Sequence, residues 1–104
     1  MTANPNPLDT WPNYRPNDPA HQQLQAFLVM DLQRSPEWIE EVLAKVMVVR
    51  SQTNKQWQRL GNAYALTLTA EEVQIEDLFD ESIQTLSLAE FEAALQVWQS
   101  LSRE

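Results

Sequence analysis

A chain of 104 residues has room for one domain built around one core. Hydrophobic residues at 43% and charged residues at 21% match a folded globular protein and exclude wholesale disorder. Seven Lys and Arg against fifteen Asp and Glu leave a formal net charge of −8, which repels DNA or RNA and argues against a nucleic-acid partner.

Five of the six prolines, Pro5, Pro7, Pro12, Pro16 and Pro19, stand among Asn and Asp in the first nineteen residues. Fixed φ angles and missing amide donors oppose both helix and sheet there. Residues 1–17 therefore read as a proline-rich tail, and residues 18–104 as a single α+β domain. Trp11 and Tyr14 interrupt the tail, and docking of these aromatics on their own domain is the simplest reading.

Asp18 before Pro19 forms an N-cap followed by proline at the first helical position, and Leu24, Phe27, Leu28 and Leu32 supply one apolar stripe behind it. Ser35 and Pro36 repeat the start signal for a second helix with Trp38, Ile39, Val42, Leu43, Val46 and Val49 inward. Two capped starts this close predict a helical hairpin. The run Val46 to Val49 is β-rich and leaves open whether that helix ends in extended chain.

The period changes to two from Ala63 to Thr69, where Tyr64, Leu66 and Leu68 share one face. Val73 and Ile75 alternate with Gln74 and Glu76 and complete a hairpin. A third strand at Gln56 to Leu60 turns at Gly61-Asn62, with Gly61 offering the one free choice of positive φ. Ser87 and Glu90 form a capping box flanked by Leu86 and Phe91 as a hydrophobic staple. Leu88, Phe91, Ala94, Leu95, Trp98 and Leu101 then make one apolar face. The expected fold is α+β: an N-terminal helical hairpin, a small antiparallel sheet of two to three strands, and a C-terminal helix packed on the sheet.

The charge is lopsided. Residues 1–59 carry six acids and six bases, whereas residues 60–104 carry nine acids and one base. An acidic surface of this kind complements a protein with a basic surface. The residues expected to contact such a partner are Glu71, Glu72, Glu76, Asp77, Phe79, Asp80 and Glu81. Leu78, Phe79 and Ile83 either close the core between hairpin and last helix, the simpler reading, or present an apolar anchor ringed by acids.

Other chemistry finds little support. His21 is the only histidine and stands without a ligand or base partner at helical spacing, so it reads as a surface histidine. A divalent cation or small ligand on Glu76, Asp77, Asp80 and Glu81 is the alternative function, although the spacing lacks the glycine of a calcium loop. Arg59 is expected to pair with nearby carboxylates, and Trp57 to pack beneath the last helix. No nucleophile stands with a base, so the reading is a non-enzyme with no catalytic residue, no metal site and no cofactor. With no cysteine, no signal-like start and no apolar run near the roughly 18 residues of a membrane helix, a cytoplasmic protein without membrane insertion is expected.

Trp57-Gln58-Arg59-Leu60-Gly61-Asn62-Ala63-Tyr64-Ala65-Leu66, followed by Glu71-Glu72-Val73 and by Leu86-Ser87-Leu88 with Phe91, resembles the YacL-like family of small uncharacterised bacterial proteins over about residues 52–101. The resemblance implies a small acidic cytoplasmic protein and brings no catalytic residue with it. The order of strand, hairpin, acidic loop and capped helix also looks broadly like parts of bacterial immunity proteins, which neutralise toxins.

Overall fold

A computed structural model describes residue 11, residues 14–51 and residues 56–102. Most of the expected proline-rich tail, residues 1–10 and 12–13, lies outside the described residues. Helix α1 spans Pro19–Phe27, where Asp18 caps it by accepting the Ala20 amide at 2.8 Å. The helix then widens into a π-helical turn, Leu28–Leu32, which keeps Leu28, Asp31 and Leu32 facing inward. It ends at Gln33 with φ 53 and ψ −143.

Helix α2 spans Pro36–Ser51, opened by Ser35, whose hydroxyl accepts the Trp38 amide at 3.3 Å. Its last turns are helical, which settles the ambiguity at Val46 to Val49. Val46 and Val49 are buried while Met47 and Val48 are exposed, a helical period rather than an alternating one. The two helices follow each other across a short connection, but α1 lies against the sheet and α2 packs against the C-terminal helix.

The sheet has four antiparallel strands rather than two to three: β1 Trp57–Leu60, β2 Tyr64–Leu68, β3 Glu72–Asp77 and β4 Ile83–Ser87, in the order β1-β2-β3-β4. The fourth strand is faint in sequence because Leu86 is its one buried residue, while Ile83, Thr85 and Ser87 face outward. Helix α3, Leu88–Ser102, follows β4 without a loop. The capping box makes this possible: the Ser87 hydroxyl accepts the Glu90 amide at 3.1 Å, and the Glu90 carboxylate accepts the Ser87 amide at 3.4 Å.

The helices cover one face of the sheet. Tyr64, Leu66, Leu68, Val73, Ile75 and Leu86 point into that layer and are buried, and Phe27 meets both Tyr64 and Phe91 with ring centroids 6.3 Å apart. Each fully buried aliphatic or aromatic side chain contributes about 1.5–3 kcal/mol, and this layer is what fixes strand register. The opposite face carries Gln58 and Leu60 of β1, Ala65 and Thr67 of β2, Glu72, Gln74 and Glu76 of β3, and Ile83, Thr85 and Ser87 of β4.

Candidate functional site

The loops β1–β2 and β3–β4 lie side by side at one end of the sheet, joined by the Leu78 amide donating to the Ala63 carbonyl at 2.9 Å. The β3–β4 loop is tightly built. The Asp77 carboxylate accepts the amides of Phe79 at 2.8 Å and Asp80 at 3.3 Å, and Asp80 accepts the Ser82 amide at 2.9 Å. Glu81 takes φ 66, so the chain reverses through a left-handed residue. From α1, the Gln23 side-chain amide donates to the carbonyls of Ile75 at 2.8 Å and Ser82 at 3.0 Å and ties the loop to the helical layer.

Phe79 sits on this rigid turn with 97% of its surface exposed. The simpler expectation, that Leu78, Phe79 and Ile83 close the core, is therefore incorrect: all three are exposed, because the local amide bonds of the loop turn these side chains away from the helical layer. Leu60 is also exposed at the same end of the sheet, at 77%, and is paired across the strands in one row with Ala65, Glu76 and Ile83. Sequence reasoning missed Leu60, although its outward position follows from its alternation with Arg59 once β1 is accepted as a strand.

Of the expected contact residues, Glu76, Asp77, Phe79, Asp80 and Glu81 come together here. Glu71 and Glu72 do not. They lie at the other end of β3, about 13 Å away along the strand, where the Glu71 carbonyl accepts the Leu88 amide. Two acids of the second half are neutralised by bases of the first. Glu90 pairs with Arg15 at 3.3 Å, and Glu92 forms a two-pronged pair with Arg50. Among the described residues, Glu71, Glu72, Glu76, Asp77, Asp80 and Glu81 form no ion pair. Amide donation from Ser82 holds the Asp80 carboxyl below its ordinary value, and burial with the Asp77, Asp31 and Asp80 charges pushes the Tyr64 phenol up. Among the described residues, no group of three His, Asp or Glu side chains is arranged to hold a metal ion.

A buried carboxylate anchors the neighbouring loop. Asp31, on the π-helical turn, accepts the amides of Ala63 at 2.9 Å and Tyr64 at 3.0 Å and faces Arg59 at 3.7 Å. The Arg59 partner is thus distant in sequence, not local. The guanidinium also lies 4.3 Å over the Trp38 ring, so Trp38, expected inward, stays 46% exposed as a platform for the cation. Gly61 has no positive φ, contrary to the expected turn role. A β-carbon there would run into the Asp31 carboxylate and the Arg59 guanidinium, so glycine is required by close approach.

His21 is fully buried rather than on the surface. Trp11 and Tyr14 stack near it, with centroids at 5.6 and 5.8 Å, because the segment before α1 folds back over the helix. Its Nδ1 accepts the Arg15 amide at 2.9 Å, which leaves Nε2 to donate to Glu90 at 3.3 Å. Trp11 itself is buried in the core, as its docking on the domain requires.

Comparison with known families decides the relationship. A family model for the uncharacterised protein family UPF0231 matches residues 17–101. The chain belongs to that family. The match takes in both N-terminal helices as well as the sheet and α3, and so reaches beyond the stretch that carries the W-Q-R resemblance. No curated protein and no solved structure matches the chain. No described helix is long and apolar enough to cross a membrane.

Proposed function

We propose that this UPF0231 member is a non-enzymatic protein-interaction module that engages a basic partner protein through the loop end of its sheet. The observation that carries the reading is Phe79, almost wholly exposed on a prebuilt turn between acids that no base of the chain neutralises. An exposed aromatic on a rigid backbone loses little freedom on docking and serves as an anchor, while the surrounding carboxylates raise the encounter rate with a cationic surface. Glu76, Asp77, Asp80 and Glu81 form the rim in this reading, and Glu71 and Glu72 extend the negative field along β3. Inhibition of a basic enzyme, in the manner of an immunity protein, is one form the role takes. The YacL-like assignment, a bacterial cytoplasmic setting and the absence of a nucleic-acid partner accord with it.

The test is affinity capture on the immobilised protein at low and high salt, followed by titration of the captured protein against the wild type, Phe79→Ala and Asp80→Lys. The reading expects a basic partner released by salt and weakened about tenfold or more by each substitution, with circular dichroism unchanged. A captured protein that binds both variants as tightly as the wild type overturns it.

A further inference from the structure

The outer face of the sheet has a shape as well as a charge. Leu60 and Ile83 stand at the two ends of one cross-strand row, on the outermost strands, with Ala65 and Glu76 between them. Three strand spacings separate the end residues, about 14 Å. The adjoining row, Gln58, Thr67, Gln74 and Thr85, has no large apolar side chain. The face is therefore a shallow trough along β2 and β3, with a floor of Ala65, Thr67, Gln74 and Glu76, walls at Leu60 and Ile83, and Phe79 on the loop beyond its end. An α-helix with its side chains is about 10–12 Å across and fits between those walls.

The geometry points to an amphipathic helix of a partner protein, apolar on one side and rich in Lys and Arg on its flanks, as the occupant of this trough. Three of the chain's own helices cover the inner face, and a helix on the outer face completes the second layer that an antiparallel sheet accepts. Charge selects the occupant: the face carries Glu72 and Glu76 and no cation among its described residues, with Asp77, Asp80 and Glu81 beyond the end. A second copy of a chain with net charge −8 is repelled from the same surface. An extended peptide would instead pair with the open edge of β1 and leave the trough empty. The inference rests on the docking reading above and specifies the partner's chemistry.

The experiment maps amide shifts on the intact protein with three synthetic peptides of about 16 residues: a Leu/Lys amphipathic helix, the same peptide with Glu for Lys, and the Lys peptide interrupted by proline. The expected result is that only the uninterrupted basic helix binds, shifting Leu60, Ala65, Thr67, Gln74, Glu76 and Ile83. Ala65→Gln, which raises the floor without altering charge, and the double variant Leu60→Ser/Ile83→Ser should each weaken binding about fivefold or more. Equal binding of the proline peptide, or shifts along Gln58 and Leu60 alone, overturns the helical occupant. Shifts confined to residues 76–82, abolished by Phe79→Ala and indifferent to Ala65→Gln, overturn the trough while leaving the docking reading intact. No binding by any basic peptide counts against the trough, and the capture experiment then judges the docking reading separately.

Discussion

Asp31 fills the space that a side chain at position 61 would occupy: its Cγ lies 2.8 Å from where a β-carbon on Gly61 would sit, with Arg59 Nη1 at 2.6 Å on another side. The sheet loop and the π-helical turn are thus fitted to each other through a missing methyl group, and that fit sets where the β1–β2 loop stands beside the β3–β4 loop.

Gly61→Ala should therefore be severely destabilising, by about 2–4 kcal/mol, because the methyl displaces a carboxylate that satisfies two amides. Urea unfolding with an unchanged m value measures this. A loss below about 0.5 kcal/mol would show that the carboxylate moves aside freely.

Removing the carboxylate leaves the Ala63 and Tyr64 amides and the Arg59 guanidinium without it, in a place where Arg59 Nε and Nη1 already lack a hydrogen-bond partner. Asp31→Ala is expected to cost about 3–5 kcal/mol, whereas Asp31→Ala combined with Arg59→Met should recover part of that loss. A double-mutant cycle with additive effects would argue against coupling.

Gln33 ends the π-helical turn at φ 53 and ψ −143, a conformation costly for any residue with a β-carbon. Its carbonyl accepts the Trp98 indole N–H at 2.6 Å, so packing of α3 holds it there. Gln33→Gly should raise stability by about 0.5–1 kcal/mol, read from the urea midpoint.

Burial opposes ionisation of Glu90, but hydrogen bonds from His21 and Ser87 and the Arg15 charge outweigh it and hold its pKa below the usual 4.5. A depressed folded pKa contributes stability that is present above the unfolded value and is lost as pH falls through the folded one. Glu90→Gln should accordingly destabilise the protein at pH 7 and have little effect near pH 2. Ser87→Ala, which removes the hydroxyl cap, should cost about 1 kcal/mol at both. Thermal melts across pH 2–7 separate the two.

The carboxylates of Asp77 and Asp80 are already committed to amides of their own turn. Millimolar calcium should leave the melting temperature unchanged, and a rise would favour a cation on Glu76, Asp77, Asp80 and Glu81 instead.

Local rules carry much of the architecture. Asp18-Pro19, Ser35-Pro36 and the Ser87–Glu90 box specify three helix starts because a capping side chain bonds an amide two or three residues away. Period-two alternation marks β2 and β3 because buried faces demand it. The acidic loop is equally legible, and Asp77, Phe79 and Asp80 stand together because they are neighbours in the chain.

Tertiary structure decides what local sequence cannot weigh. β4 has one buried residue and exists because β3 offers it an edge. Asp31, His21 and Gly61 look ordinary in sequence, yet each is fixed by a partner 30 or more residues distant or by the fold-back of the N-terminal segment. Whether an apolar residue is core or surface is likewise settled by which face the sheet turns to the helices. Leu60 and Ile83 have the chemistry of the interior, and only the register of four strands puts them on the open side.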